Sequence, residues 1–359
     1  MDSEIGRPSV VAQDAAYHQP FIFKVAPACA ARHDRLAHCL RLESACFAAW
    51  PAQEEERRGN LLLRAAGGYS MRINSGVPLL PADTGVAWSQ GHVHDAEAWF
   101  AARGLPPQFR LPEPLEGGDV AADDADGESG RDATGAGRCG AGCGLDPVLA
   151  AMGYTATDPT LVQELDLTDW AVGAETGAPG SAVRPVTVHT GHTGHTGHTG
   201  HTGHTGHTGH TGHTGHTGHT TPSPSRQCAM VAHPAWLAAE GALRGRNGSA
   251  TENPVLRTLL ATLGGAGQTW LLHAGGQPAV CGLGVRTGDA YGIFAVVARP
   301  DLRRQGHGRA LVAAMLSAAR RDGARSAWLQ VGQGNAPARA LYEGLGFATS
   351  YGYWYRVRR

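Results

Sequence analysis

A three-residue repeat, His-Thr-Gly, runs from His189 to Thr220 and contains no apolar side chain. Such a segment cannot contribute to a hydrophobic core, and glycine at every third position keeps its backbone flexible. The repeat therefore predicts a low-complexity linker between two folded parts of the chain. We expect a flexible N-terminus over 1–24, a first domain over 25–170, the linker over 171–225 and a second domain over 226–359.

The histidines of the same repeat can bind metal, because neutral imidazoles on a flexible chain can chelate zinc or nickel. This chemistry would follow from the repeat even if the tract arose only as an expanded linker. Elsewhere, Cys139 and Cys143 lie in a glycine-rich stretch, with no second ligand pair at zinc-finger spacing. We predict that no metal is required.

Charge and cysteine content exclude several classes of protein. The 30 basic and 31 acidic residues nearly balance, so overall charge predicts neither a nucleic-acid nor a membrane partner. The N-terminus has no basic segment followed by an apolar stretch, and no apolar run reaches about 18 residues. Seven scattered cysteines do not form a secreted disulfide framework. We expect a cytoplasmic protein; its oligomeric state is not predicted.

The pattern of apolar residues and glycines predicts a mixture of helices and strands in both domains. For the first domain we predict a hairpin over 59–73, a helix over 94–104, a strand over 108–111, a disordered insertion near 114–145 and a helix from an Asp146 cap to Gly153. For the second we predict helices over 234–245, 253–265, 307–323 and 336–346, and strands over 269–275, 279–288, 290–298, 324–331 and 351–357. The order of elements is similar in the two domains. The predicted fold is α/β (α+β), with two domains of mixed, mainly antiparallel sheet flanked by helices.

The sequence RRQGHGRAL, residues 303–311, follows the apolar strand over 290–298 and opens an amphipathic helix. A glycine-rich turn at a helix N-terminus presents backbone N–H groups to an anion, and phosphate is the usual ligand. A Cβ atom at Gly306 or Gly308 would push the backbone away from phosphate oxygens. We expect His307 to be a solvated residue of this turn.

Two motifs in residues 226–359 resemble those of the GNAT acetyltransferase superfamily. The first, R/Q-x-x-G-x-G/A, is matched by Arg303, Gly306 and Gly308, and the second, N-x6-Y followed by G-F, is matched by Asn335, Tyr342, Gly346 and Phe347. The resemblance implies acetyl-CoA as co-substrate, with pantetheine on the strand before the turn and pyrophosphate over the N–H groups of the turn. It assigns the following contacts: Val296, Val297, Ala298, Arg303, Arg304, Gln305, Gly306, His307, Gly308, Arg309 and Asn335.

The resemblance also implies catalytic roles. Tyr342 would be the general acid that protonates the departing CoA sulfur. Without the resemblance, Tyr342 would be a core aromatic and Asn335 an ordinary helix cap. Many GNAT enzymes carry a glutamate where this chain has Gln330, which cannot titrate, so the base stays unassigned between a water chain, a carboxylate such as Glu164 or Asp166, and no residue.

The first domain resembles a degenerate copy of the second, as in tandem GNAT proteins. It lacks the glycine motif, and alignment of Gly153-Tyr154 with Gly346-Phe347 places Leu149 at the position of Tyr342. Its expected role is to cover one side of the acceptor cleft. The resemblance thus predicts direct acetyl transfer to a primary amine of a small molecule or a protein. The alternative is a non-catalytic acyl-CoA-binding or metal-buffering protein.

Overall fold

The computed structural model describes residues 30–79, 87–113, 144–171, 184–185, 226–246 and 253–358. The expected N-terminal segment, the insertion with Cys139 and Cys143, and the histidine repeat lie outside the described residues. We call residues 30–171 the first half of the molecule and residues 226–358 the second half. In the described parts of the chain, no helix combines the length and the apolar character needed to cross a membrane.

Both halves contain helices and strands. In the first half they are α1 (Ala30–Ala49), β1 (Glu54–Arg58), β2 (Leu61–Ala65), β3 (Gly76–Pro78), α2 (Gln90–Ala101), β4 (Gln108–Pro112), α3 (Leu145–Ala151) and β5 (Thr155–Asp166). The short strand β6 (Arg184–Pro185) follows. In the second half they are β7 (Arg226–Met230), α4 (His233–Leu243), α5 (Pro254–Leu263), β8 (Gly267–Ala274), β9 (Gln277–Thr287), β10 (Ala290–Ala298), α6 (His307–Arg321), β11 (Ser326–Gly332), α7 (Ala336–Glu343) and β12 (Ala348–Val357).

All the described strands form one sheet, in the order β1-β2-β3-β4-β12-β5-β11-β10-β9-β8-β7-β6. Most neighbours are antiparallel, and β3–β4, β6–β7 and β10–β11 are the parallel pairs among them. The predicted mixed α/β fold with a mainly antiparallel sheet is therefore confirmed. The structure adds that the two halves share this sheet.

The sharing results from an exchange of the last strand of each half. Strand β5 lies antiparallel between β11 and β12, while β12 lies antiparallel between β4 and β5. From α5 onward, the second half also repeats the element order of the first half, α-β-β-β-α-β-α-β. Each half consequently completes the sheet of the other, and the boundary between them lies inside the sheet.

Helices cover both faces of the sheet in the second half. On one face, α1 of the first half and α4 and α5 of the second half bury a cluster that includes Trp50, Trp236 and Trp328. On the other face, α6 buries Leu311 and Met315 beneath it. Burial on both faces explains the continuous apolar sequences of β10 and β11, as predicted for a central strand.

Two predictions for the first half are wrong. The segment 59–73 is not a hairpin: β2 pairs with β1 and β3, and Met71–Ile73 forms a 3-10 turn. The Gly67-Gly68 pair, both at positive φ, starts an irregular loop held by the Asn74 side chain, which accepts from the backbone N–H groups of Ala66 and Gly68. A glycine pair allows this loop as readily as a hairpin turn.

The predicted cap of α3 is also wrong. Gly144 is the N-cap of α3, and Asp146 lies in the first turn of the helix. The Asp146 carboxylate pairs instead with the Arg356 guanidinium of β12, at 2.7 Å and 2.8 Å. A carboxylate is favourable near the N-terminal end of the helix dipole, both at the N-cap and in the first turn. The sequence pattern therefore fits either position of Asp146.

Candidate active site

The site begins where two parallel strands of the second half separate. Strands β10 and β11 pair only from Ala290–Ser326 to Ile293–Leu329. A bulge then interrupts β10 between Phe294 and Val297, with Ala295 at a φ of 48°. Beyond the bulge the two strands no longer pair, and we call the unpaired region between them the cleft.

The three predicted pantetheine contacts, Val296, Val297 and Ala298, form the β10 wall of this cleft. Val297 and Ala298 pair with Cys281 and Val280 of β9 on one side. In the described strand pairings, their side toward β11 has no partner strand. Backbone N–H and C=O groups on that side can therefore pair with an extended ligand.

The predicted glycine turn follows β10 and ends at the start of α6. Gly306 is the N-cap of α6 with φ 78° and ψ 2°, and it provides no side-chain cap. A Cβ atom there would meet nothing within 4 Å. The first helical bond runs from the Ala310 N–H to the Gly306 carbonyl at 3.0 Å. The N–H groups of His307, Gly308 and Arg309 precede that bond, so they are available to an anion in the open space before the helix.

Gly308 has a packing reason to be glycine, in addition to the predicted approach to phosphate. A Cβ atom on Gly308 would lie 3.0 Å from Leu341 Cδ1 of α7. The missing side chain therefore allows α6 to pack closely against α7. Arg309 joins the same two helices, because its Nη1 donates to the Gly344 carbonyl at 2.7 Å.

His307 is buried, which corrects the expectation of a solvated residue. It is the first residue of α6 and only 3% exposed. Its Nδ1 atom is buried without a hydrogen-bond partner among the described residues. Burial lowers the pKa of the imidazole, and the nearby Arg226 and Arg299 lower it further. The side chain of a residue that starts a helix can turn inward even when its neighbours are polar, and the sequence does not reveal this.

The turn carries exposed polar side chains, those of Arg303, Arg304, Gln305 and Arg309. These arginines give the mouth of the cleft a positive charge, which favours a phosphate-bearing ligand.

Tyr342 lies on α7, the helix that packs closely against the start of α6. Its ring is mostly buried, with the residue 8% exposed, and meets the Phe347 ring edge to face at a centroid distance of 5.9 Å. Burial raises the pKa of the phenol to about 12. The hydroxyl is therefore protonated at neutral pH and can act as a proton donor.

Asn335 is exposed and caps α7. Its Oδ1 atom accepts a hydrogen bond from the Ala338 N–H at 3.3 Å. This is the structural role that the sequence already offered, and the proposed contact of Asn335 with acetyl-CoA stays a prediction.

Gln330 lies on the β11 wall of the cleft and belongs to a polar network. Its Nε2 donates to Cys46 Sγ of α1 at 3.0 Å, and its Oε1 accepts from the Tyr353 hydroxyl at 3.1 Å. The Arg110 guanidinium lies 3.9 Å from the centre of the Tyr353 ring and pairs with the buried Glu43 carboxylate. The first half and β12 thus supply the surroundings of Gln330.

The two carboxylates named as candidate bases lie on β5, which pairs with β11, and Glu164 is a diagonal neighbour of Gln330 on the same face of the sheet. Glu164 accepts hydrogen bonds from His38 Nε2 and from the Ser350 hydroxyl and stands opposite Trp328 in the sheet register. Asp166 is exposed and accepts from the Thr168 N–H at 2.8 Å, which lowers the pKa of its carboxyl group. In the described part of the chain no hydrogen bond joins either carboxylate to Gln330, and the base stays open between a water chain, one of these carboxylates and no residue.

Sequence reasoning missed the contribution of α1 to this site. Cys39, Leu42, Cys46 and Ala49 recur at helical spacing and are all buried, so their periodicity could have indicated an amphipathic helix. Trp50, just after the helix, stacks on Phe294 of β10 at a centroid distance of 4.7 Å. No local signal places this helix against the other half of the chain.

Comparisons with known proteins agree with this geometry. Residues 253–347 match the family model described as acetyltransferase (GNAT) family, and residues 37–128 match the model described as probable histone acetyltransferase Rv0428c C-terminal. The chain is 42% identical over 59 residues to the [ribosomal protein bS18]-alanine N-acetyltransferase of Escherichia coli K12. That match covers 16% of this chain and 40% of the relative, so the chain spans less than half the length of this relative.

A solved structure shares the overall fold. It is a GCN5-related N-acetyltransferase from Kribbella flavida, with a TM-score of 0.53 and 17% sequence identity, covering 89% of this chain and 94% of that chain. At 17% sequence identity, the similarity is evidence for a shared fold. Residues 253–347 thus match the GNAT acetyltransferase family model, and the chain shares its overall fold with a GCN5-related N-acetyltransferase.

Proposed function

We propose that this protein is an acetyl-CoA-dependent N-acetyltransferase that passes an acetyl group directly to a primary amine. One observation carries the proposal: a strand pair separates at a bulge, and its open end leads to a helix N-terminus without a side-chain cap. The separated strand offers backbone hydrogen bonds to an extended chain, and the helix offers N–H groups to a phosphate.

The residues present fit acetyl-CoA as a co-substrate. Val296, Val297 and Ala298 would bind the pantetheine arm through their backbone. The turn from Arg303 to Arg309 would bind the pyrophosphate, with backbone N–H groups for the oxygens and arginines for the charge. The open space in front of Gly306 is consistent with this use.

The transfer needs one proton to be supplied and one to be removed. The amine nitrogen forms a bond to the thioester carbonyl carbon, and the carbon–sulfur bond breaks. The Tyr342 hydroxyl donates its proton to the departing sulfur, a role suited to a phenol whose pKa is raised to about 12 by burial. Gln330 can hydrogen-bond in the cleft but cannot take the proton released by the ammonium group, which passes to water or to a carboxylate such as Glu164 or Asp166, and a proton from solvent restores the Tyr342 phenol.

The first half is proposed to be a degenerate copy of the second, within the boundaries 25–170 and 226–359. Leu149 on α3, in the place aligned with Tyr342, is fully buried and has no proton to give. The first half contributes instead to the acceptor face of the cleft, where Cys46 contacts Gln330. A cytoplasmic location is part of the same proposal.

The acceptor is an amine of a small molecule or of a protein. The name of the E. coli relative specifies a protein alanine as its acceptor, which makes a protein amine a natural first test. The cleft is formed by loops and strand ends, which the family motifs do not specify.

The test is a panel of amines, including amino acids and short peptides, with acetyl-CoA and the full chain. We expect steady release of CoA that depends on the amine, with the acetylated product identified by mass spectrometry. Acetyl-CoA binding without turnover on any amine would contradict the proposal and favour a non-catalytic acyl-CoA-binding protein.

A further inference from the structure

Arg72 occupies a fixed position at the junction of the two halves. It lies in the 3-10 turn Met71–Ile73, between β2 and β3. The Ser70 hydroxyl accepts from the Arg72 N–H at 3.2 Å, and the Arg72 carbonyl accepts from Arg64 Nη1 at 3.4 Å. The backbone of Arg72 is therefore anchored, and its side chain extends from a defined point.

The Arg72 side chain lies beside the polar network of the cleft. Its neighbours Met71 and Ile73 pack in the cluster that contains Tyr353, whose hydroxyl donates to Gln330 Oε1, and the Arg72 guanidinium interacts electrostatically with Tyr353. It also lies within electrostatic range of Tyr355 and of Cys46, the residue that contacts Gln330 Nε2. Tyr353 thus lies between Arg72 and Gln330, on the wall of the cleft where the acceptor would enter.

The charge of Arg72 is not balanced by its surroundings. Other buried charges nearby are paired: Arg110 with Glu43, Arg64 with Glu55, and Glu240 with Arg244 and Arg246. Among the residues that the structure describes, no carboxylate lies within ion-pair distance of Arg72, and its Nε atom is buried without a hydrogen-bond partner. Leaving a buried guanidinium donor without a partner costs free energy, which a bound anion would recover.

The neighbours of Arg72 indicate which anion fits. A guanidinium presents a planar fork of donors that matches a carboxylate in bidentate geometry. Burial raises the pKa of the Tyr355 phenol well above its ordinary value, so this neighbour is a neutral hydroxyl. Arg72 is half-buried, with its Nε atom buried and part of the residue exposed, so the residue is accessible to a carboxylate.

We propose that the acceptor amine carries a carboxylate, which Arg72 binds while the amine lies beside Gln330. This inference rests on the proposed acetyltransferase function and adds the acceptor class to it. The carboxylate comes either from a free amino acid or C-terminus, or from an acidic side chain of a peptide. The first half would then take part in substrate recognition, and Arg72 would determine specificity.

Matched acid and amide acceptors test this proposal in the full chain. Each amino acid is compared with its carboxamide, and each C-terminally amidated peptide with Asp is compared with the same peptide with Asn. We expect kcat/KM to fall roughly ten- to a hundredfold from acid to amide, as for loss of a charged hydrogen-bond partner. The arm in which the fall occurs identifies the source of the carboxylate.

Substitutions of Arg72 separate recognition from folding. In Arg72→Gln the acid-to-amide ratio should approach one, and Arg72→Lys should keep part of it because the charge remains. Arg321→Gln, which changes an exposed arginine of α6, should keep the full ratio. Melting temperatures identify any variant that fails to fold. Equal rates for acid and amide in the unmodified chain, or an unchanged ratio in folded Arg72→Gln, would overturn the inference.

A readout without turnover distinguishes this inference from the proposed function. The same acid and amide pairs are titrated calorimetrically into the protein saturated with CoA. Acid-selective binding that Arg72→Gln abolishes would support the Arg72 site even if no amine were acetylated. Absence of binding by every carboxylate of the panel, with no acid-selective turnover, would overturn it.

Discussion

Helices α2 and α6 occupy the same place in the element order of the two halves, but they begin differently. At the start of α2, the Ser89 N–H donates to His92 Nδ1 at 3.2 Å, and the Ser89 hydroxyl lies 2.9 Å from the same nitrogen. At the start of α6, Gly306 has no side chain with which to close the turn. A side chain of the first turn thus closes back on the N-cap of α2, whereas no side chain does so at the start of α6, whose N–H groups are left for solvent or a ligand.

The helices that follow, α3 and α7, also differ in the side chain at the aligned position. Leu149 of α3 is fully buried in the core of the first half, against the cluster that contains Phe109. Tyr342 of α7 places a hydroxyl where the aligned leucine has only methyl groups. Under the proposed function, one arrangement of helices and strands would serve as a packed support in one half and as a ligand site in the other, through changes at a few positions.

The largest effect is expected at Tyr342. Tyr342→Phe removes the proton donor but keeps the ring that contacts Phe347. We expect kcat to fall roughly 10²- to 10⁴-fold, as for loss of a general acid, while acetyl-CoA affinity changes little. The matched control is Tyr291→Phe, another buried tyrosine of the second half, whose hydroxyl bonds to Gln268 at 3.0 Å; its kcat should be unchanged.

The pH dependence gives a second readout for the same residue. Because the pKa of Tyr342 is raised to about 12, the acid form persists as the pH rises and is lost only near that value. We expect no fall of kcat from Tyr342 between about pH 7 and 10. A Phe variant as active as the original, with chemistry shown to be rate-limiting, would refute the acid role.

Next in size is the effect of Gly306→Val. A valine at φ 78° strains the backbone by at least about 1–2 kcal/mol and places methyl groups in the anion site. Gly153→Val in the first half is the control, because Gly153 has φ 84° and also meets nothing within 4 Å. Both variants should be destabilised similarly. Only Gly306→Val should weaken acetyl-CoA binding, roughly tenfold or more, as measured by calorimetry; equal affinity in both variants would remove the phosphate role.

A smaller effect is expected at Asn335. Asn335 and Asn253 both cap helices that carry proline in the first turn. Replacement of either by Ala should lower the free energy of unfolding by about 1 kcal/mol. If Asn335 also contacts acetyl-CoA, only Asn335→Ala should raise the KM for acetyl-CoA, by a few fold. An equal KM in the two variants would leave Asn335 as a cap alone.

The smallest effect concerns the histidine repeat. Deletion of residues 189–220 should leave the melting temperature and kcat/KM nearly unchanged, because the segment has no apolar side chain to pack. Retention on a nickel resin should fall. A large loss of turnover after the deletion would show that the repeat takes part in the reaction.

The second half could be predicted from the sequence to a large extent. The continuous apolar run over 290–298, the glycine turn and the amphipathic stripe of the next helix are strong local signals, and β10 has the predicted bounds. The exchange of β5 and β12 could not be predicted, because a strand pattern shows which faces are buried but not which strand is its neighbour. The burial of His307 and the position of Arg72 depend on contacts between distant segments in the same way.

Calorimetric titration of acetyl-CoA into the full chain most directly tests whether only the second half binds the anion. We expect one equivalent of acetyl-CoA to bind per chain, with an affinity that is weakened by Gly306→Val and unaffected by Gly153→Val. Two equivalents per chain, or one equivalent of unchanged affinity in Gly306→Val, would contradict the assignment of a single anion site to the start of α6.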